Sequence, residues 1–501
     1  MEEIKEQDVD GILISIGEFG RSQKLLLVVI SFLMIPTASQ VLIMTFLEIN
    51  PSWRCSGNGS FECNRTGEFS ITHKFYHDRC KMKRNSWSFV KEKGFSIITE
   101  WDLVCGKASL AYVIFSIMQI GDALGGVLVG MLSDKYGRKK VLYASWFGFI
   151  VIATISSFIH NFWVFLQLQF LVGILHGGSF NVQWVLMSEM LGPNSRSYLN
   201  ILWCVYSFAL SFMSLQSWLI PKWRAFELIM TTPYLILLAT YKFVPESVRW
   251  LHANNKRDMA EKVLQNIAKC NKKKFPKVKL CNANNISNAV DLKKTSIKYV
   301  FFPFKMFLIT FSQISIYFSA SLAFYGISLF AENLSGNLHR DFALVSLVDI
   351  PSNLISIWVC NRFGKKRTTM VSTVAAGIII VILAFVPYTA NFSWIRILIG
   401  TSGKFLANIS FNVIYIWSTE IYPTAVRSQG LGVCISAAVI GTAVSPWITQ
   451  YLVQFHQTLP FVIIGSLLIL SGNLSCFLPE TNEENLSNIN EENLSEKQSL
   501  L

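Results

Sequence analysis

Charge is scarce in this sequence. Of 501 residues only 15% are Asp, Glu, Lys or Arg, where a soluble chain carries about 25%. A soluble chain of this length would also divide into roughly three domains, each needing its own polar surface. Cysteine is sparse too. Ten cysteines in 501 residues are too dilute for a disulfide scaffold. No Gly-rich phosphate loop and no paired catalytic carboxylates stand in the sequence, which argues against an ATP-driven pump or a membrane enzyme. No Cys-x-x-Cys or Cys/His cluster points to a metal, so neither a cofactor nor catalysis is expected. The first ten residues are acidic and polar, so no cleavable signal peptide is expected. These absences exclude an ordinary cytosolic enzyme, a collagen, a coiled coil and a disordered chain.

What is present is apolar. Hydrophobic residues make up 52% of the chain, and Phe alone contributes 38. A bilayer core about 30 Å thick is crossed by ~20 apolar residues in a helix. Twelve such windows occur, at 25–47, 108–129, 141–160, 162–187, 198–219 and 226–244, then 306–329, 342–360, 369–388, 395–417, 430–449 and 460–478. The expected fold class is an all-α membrane protein, with twelve transmembrane helices in two six-helix bundles and a large loop after the first helix. The expected bounds are a tail at 1–24, a first bundle at 25–244 including the loop 49–106, and a basic loop at 245–298. A second bundle follows at 299–480, then a tail at 481–501.

The net charge of +13 would suggest nucleic acid in a soluble protein, but membrane proteins concentrate Lys and Arg in their inside loops. Segments 134–140, 362–367 and 245–298 are rich in Lys and Arg, the last with 13 of them. Short loops near 160, 389 and 455 are almost free of both. The bias therefore places both termini of a multi-pass membrane protein in the cytosol, with lipid and no nucleic acid as its surroundings. Loop 49–106 holds nine Lys/Arg, yet loops that long translocate largely regardless of charge. It also carries Cys55, Cys63, Cys80 and Cys105, with sequons at Asn58 and Asn64, as a glycosylated, disulfide-braced outside loop would. Four cysteines allow three pairings, and the sequence does not choose among them.

Each half carries a similar loop between its second and third spans. One contains Gly130, Asp134, Gly137, Arg138, Lys139 and Lys140; the other contains Asn361, Arg362, Gly364, Lys365, Lys366 and Arg367, about 227 residues later. Such repeated halves imply a substrate site at their interface and alternating access by rocking. Asp134 is expected to sit against a helix N-terminus and to pair with Arg138, as a cytosolic latch.

The loop Gly130-x-Leu132-x-Asp134-x-x-Gly137-Arg138-Lys139-Lys140 resembles the signature of the major facilitator superfamily. Further motifs narrow the resemblance: Pro245-Glu246-Ser247-Val248-Arg249-Trp250-Leu251, Thr419-Glu420-Ile421-Tyr422-Pro423-Thr424 with Arg427, Leu478-Pro479-Glu480-Thr481, and Thr99-Glu100-Trp101-Asp102-Leu103-Val104-Cys105. With the large first loop they are similar to the organic ion transporters, a family of organic cation, organic anion and carnitine carriers. The resemblance implies sodium-independent or exchange transport of a small organic ion through an aromatic-lined cavity. It assigns Glu246, Arg249, Glu420 and Arg427 to the gating set, and Phe180, Trp184, Tyr317, Phe318, Phe324 and Tyr325 to the cavity. Aromatic faces attract organic cations by ~0.5–2 kcal/mol each.

Ionisable groups inside spans are functional candidates, since each costs about 2.5–3.5 kcal/mol at midplane. Asp122 lies about 18 Å from Asp134 along a helix, near midplane, and departs from the family pattern. It is either a cation or proton site or the partner of a buried base. Lys404 matches a basic family position in the substrate cavity: it either attracts anions or carboxylates or pairs with Asp122 or Asp349. Asp349 matches a family acid, for which a structural or gating role is favoured. His176 is either a titrating group or, the reading favoured for a lone buried His, merely hydrogen-bonded. Cation carriers resembling this chain place an acid where Val439 stands, and anion and carnitine carriers place Arg there. Gln169 stands where span four usually carries Arg. The customary charge selectors are therefore missing. Asn361 replaces the acid of the second latch, which should be the weaker one. Lys256, Arg257, Lys262 and Lys269 suit a face beside anionic lipid, and Glu496, Leu500 and Leu501 resemble an acidic dileucine sorting signal. The expected function is carriage of small organic ions, with cations or zwitterions ahead of anions. The alternatives are a carrier of neutral solutes such as sugars, or a non-transporting scaffold derived from a carrier.

Overall fold

The computed structural model describes residues 6–56, 63, 67–70, 73, 75–276, 279–280, 298–302, 304–387, 390–422 and 426–480. The sequons at Asn58 and Asn64 and the tail residues Glu496, Leu500 and Leu501 lie outside the described residues. Eleven helices among the described residues are long and apolar enough to cross a membrane. In hydrocarbon each backbone N–H and C=O must be satisfied inside the segment, and the helix does this. The chain divides into two compact units, 1–47 with 117–291 and 48–116 with 292–501. Loop 49–106 thus groups with the second unit rather than with the spans that flank it.

The first unit holds a short helix α1 (Val9–Ile16), then α2 (Arg21–Leu42), most of α3 (Ser109–Tyr136), α4 (Arg138–Ser156), α5 (Phe162–Met190), α6 (Asn200–Leu219) and α7 (Trp223–Thr231). The sixth expected span, 226–244, is not one α-helix. It turns into a 3-10 stretch at Thr232–Lys242. Pro233 has no N–H and crowds the carbonyl four residues back. The Oγ1 atoms of Thr231 and Thr232 bond back to the carbonyls of Glu227 and Leu228. Two helices follow on the same side of this span, α8 (Val248–Ala253) and α9 (Arg257–Cys270). Helix α9 buries Ala260, Leu264 and Ile267 in one cluster with Ile12, Leu13 and Ile16 of α1, and leaves Lys256, Lys262 and Lys269 exposed.

The second unit holds α10 (Phe304–Leu329), α11 (Leu338–Leu347), α12 (Asp349–Phe363), α13 (Lys365–Phe385), α14 (Ser393–Ile421), α15 (Arg427–Pro446) and α16 (Leu459–Leu474). The eighth expected span, 342–360, is the pair α11–α12. Its break at Val348 lies just before Pro351 and puts Asp349 on the first turn of α12. In the large loop, β1 (Trp53–Cys55) pairs antiparallel with β2 (Trp87–Phe89). Trp53 and Trp87 are buried edge to face at 6.0 Å, and Trp53 Nε1 donates to the Tyr76 carbonyl at 2.9 Å. Of the three pairings left open, the loop adopts Cys55–Cys63 and Cys80–Cys105. Cys204, Cys270, Cys360, Cys434 and Cys476 are free thiols.

Helices α3 and α5 cross on glycines. A methyl group at Gly121 would overlap the Phe170 carbonyl, one at Gly125 the Ile174 carbonyl, one at Gly173 the Met118 carbonyl and one at Gly177 the Asp122 carbonyl. Small residues at such spacing let spanning helices pack backbone to backbone. Gly125→Val forces the two helices apart, at a cost on the order of 1–3 kcal/mol, and is expected to lower the melting temperature of the detergent-purified protein. Gly130→Val, on the same helix with nothing within 4 Å, should leave it unchanged.

Candidate functional site

The repeated loops fix one end of the spans. Gly137 (φ +107°) and Gly364 (φ +83°) adopt left-handed conformations, and α4 and α13 begin at the next residue. The carboxylate at each helix start arrives from the end of the same half. Glu246 accepts from the Lys139 N–H at 3.0 Å, and Glu480 accepts from the Lys365 N–H at 2.9 Å. Asp134 was expected at that helix N-terminus and is not there. Its expected pairing with Arg138 is present, at 2.6 Å. Arg138 also makes a two-pronged contact with Glu189 at 3.2 Å. In the second half Lys365 bonds Glu420, and Asn361 stands where Asp134 does in the first. Arg249 reaches Asp10 at 2.6 Å and the Leu191 carbonyl at 3.2 Å, fastening α1 to α8. Arg427 donates to the Tyr422 carbonyl at 3.3 Å.

Asp122 sits at the middle of α3, where Gly177 lets α5 approach. His176 Nδ1 is 2.5 Å from Asp122 Oδ1, and its Nε2 is 2.8 Å from the Thr37 carbonyl of α2. Thr37 follows Pro36 inside α2. The Asp122 side chain is 29% exposed and that of His176 only 2%. Phe180 stacks along His176 at 6.3 Å, and Phe149 meets it edge-on at 5.8 Å. Phe180 continues to Trp203 at 6.1 Å and Tyr206 at 6.4 Å, and Trp184 meets Trp203 at 5.2 Å. Asp122 is thus joined, through the His176 ring, to a run of aromatic contacts from Phe180 to Trp203, Tyr206 and Trp184. Asp122 pairs with a buried imidazole and keeps an exposed edge.

In the second unit Lys404 takes Asp349, not Asp122. Its Nζ lies 2.8 Å from Asp349 Oδ2 and 3.3 Å from the Val345 carbonyl. Both side chains are almost fully buried, and the ammonium lies 4.4 Å from the Phe324 ring centroid. Phe324 and Tyr325 meet edge to face at 5.1 Å. Asn353, one turn on from Asp349, accepts from Asn408 and Asn412 at 2.9 and 2.8 Å. Tyr317 is fully buried in a cluster with Ile414 and Trp417, against which Phe318 packs, so packing accounts for its position. Val439 is half-buried on α15.

Three participants escaped the sequence reading. Glu227, on α7, is completely buried and accepts from Ser156 at 2.9 Å, Ser157 at 3.1 Å and Gln169 at 3.3 Å. An acid inside window 226–244 was signal enough to find it. Gln169, standing where the family pattern has Arg, gives this carboxylate an amide donor. Trp203 and Tyr206 lay one helical turn apart on α6 and were indistinguishable from packing aromatics.

Residues 66–492 match the family model described as sugar (and other) transporter. The chain is 30% identical over 485 residues to solute carrier family 22 member 15-like of Xenopus laevis, covering 95% of this chain and 94% of the relative. It is 27% identical to the human organic cation/carnitine transporter 2, over 95% of this chain and 92% of that one. The inward-open xylose transporter XylE of E. coli shares its fold, with a TM-score of 0.64 at 15% identity, covering 93% of this chain and 98% of that one.

Lys404→Met strands the buried Asp349 carboxylate and is expected to destabilise the protein by roughly 3–5 kcal/mol. Joining it with Asp349→Leu should recover most of that loss. Thermal unfolding of the three proteins in one detergent checks both statements.

Proposed function

This chain belongs to the sugar (and other) transporter family and, within it, to solute carrier family 22, and on that premise we propose that it carries small organic ions across the plasma membrane by alternating access. Cations and zwitterions are preferred to anions. The observation that supports this most is the part-exposed Asp122 carboxylate, linked through His176 to the aromatic cluster of Phe180, Trp203, Tyr206 and Trp184. A carboxylate supplies the counter-charge, and aromatic faces add ~0.5–2 kcal/mol each toward a quaternary or protonated amine. Lys404 is spent on Asp349 and offers little free positive charge to an anion. Both termini face the cytosol in this reading, and the loop holding Cys55 and Cys105 faces outward with sugar on Asn58 and Asn64. The loop contacts of Glu246, Glu480, Arg138 and Lys365 hold one state of the cycle.

A second reading, carriage of a neutral solute, is favoured by the uncharged Val439 and Gln169 at positions where resembling carriers are charged. Uptake of labelled tetraethylammonium, carnitine, an aryl carboxylate and a hexose into expressing cells separates the two. Tetraethylammonium and carnitine should accumulate. Asp122→Asn at equal surface level should lower tetraethylammonium uptake at least about tenfold, the effect of ~1.4 kcal/mol. Unchanged uptake removes Asp122 from the site, and hexose uptake alone favours the second reading.

A further inference from the structure

The contacts of His176 fix a proton count. A carbonyl oxygen only accepts hydrogen bonds, so Nε2, 2.8 Å from the Thr37 carbonyl, carries a hydrogen. At 2.5 Å, Nδ1 and Asp122 Oδ1 cannot face each other lone pair to lone pair. A second hydrogen lies between them. Whether the imidazole or the carboxyl owns it, the pair holds one proton more than a neutral imidazole beside a free carboxylate, and its net charge is zero. His176 is sealed at 2% exposure, whereas Asp122 is 29% exposed. The shared proton therefore leaves and returns by way of Asp122. The groups that face the His176 ring are Asp122 from α3, the Thr37 carbonyl from α2, the Phe149 ring edge from α4 and the Phe180 ring from α5, with the Tyr206 phenol of α6 beyond Phe180.

We propose that the Asp122–His176 pair is the coupling site of the carrier: an organic cation docking on Asp122 expels the shared proton, so that one monovalent cation is exchanged for one proton. This deepens the organic-ion reading and rests on it. The charges balance. Before docking, imidazolium and carboxylate sum to zero. After docking, neutral imidazole with its hydrogen on Nε2, the carboxylate and the substrate cation again sum to zero, and the proton passes to water along the exposed edge of Asp122. Keeping both proton and cation would leave an uncompensated positive charge in an apolar bundle, which is strongly disfavoured. Once deprotonated, Nδ1 repels the carboxylate and turns it toward the substrate. On release of the cation, the bare carboxylate beside a sealed imidazole takes a proton back.

The test uses the full chain in lipid nanodiscs in weak buffer, with tetraethylammonium as the probe. Binding is followed by calorimetry, and proton release by a soluble pH indicator. The wild type should release about one proton per cation bound near neutral pH. His176→Gln, whose amide still donates to the Thr37 carbonyl, should bind the cation with no release, and Asp122→Asn should bind it at least tenfold more weakly. Cation binding without proton release in the wild type overturns the proposal and leaves the organic-ion reading standing. Release that survives unchanged in His176→Gln also overturns it. If tetraethylammonium, carnitine and an aryl carboxylate all fail to bind, the organic-ion reading falls and takes the proposal with it.

Discussion

Hydrocarbon offers no hydrogen bonds, and that one constraint orders the polar side chains of this protein. A buried ionised group is costly unless it meets a complement inside the same bundle of helices. Asp122 meets His176, Asp349 meets Lys404, and Glu227 meets two serines and a glutamine. The three solutions differ in consequence. The Lys404–Asp349 pair is sealed inside the second unit. Glu227 is held by neutral donors. Asp122 alone combines a buried partner with an exposed edge and a link through His176 to the aromatic cluster, so the same need for compensation leaves one carboxylate able to accept a second cation.

The constraint is met twice at the loops. Each half turns on a glycine with positive φ and begins its next helix under a carboxylate supplied from its own far end, by Pro245-Glu246 in the first and Pro479-Glu480 in the second. Each places the first basic residue of that helix, Arg138 or Lys365, on an acid near the close of another span, Glu189 or Glu420. The halves then diverge where the sequences do. Asp134 adds a second acid to Arg138, whereas Asn361 adds no charge to Lys365. The repeat was legible in the sequence as matching glycines and bases. The capping role was misassigned to Asp134, because proximity in sequence favoured it over a glutamate 107 residues away.

The spans themselves were readable, since apolar runs of bilayer length have few other outcomes. Where regularity fails, the cause is a proline that was visible but whose effect depends on neighbours, Pro233 in the sixth span and Pro351 in the eighth. The disulfide pairing needed the β1–β2 fold of the large loop. Asp122 stood out as a charge in a greasy helix. Its partner, 54 residues away, could not be named, because helix register across a crossing is set by Gly121, Gly125, Gly173 and Gly177 together. Trp203 and Tyr206 were hidden among many aromatics for the same reason.

The central claim is that Asp122 and His176 act as one neutral unit rather than as two independent polar residues. A double-mutant cycle on protein stability measures this directly, with Asp122→Asn, His176→Gln and the two together. Each single change should leave its partner buried and mismatched, so the double variant should be more stable than the sum of the singles predicts, by at least about 1 kcal/mol. Strictly additive losses would contradict the account.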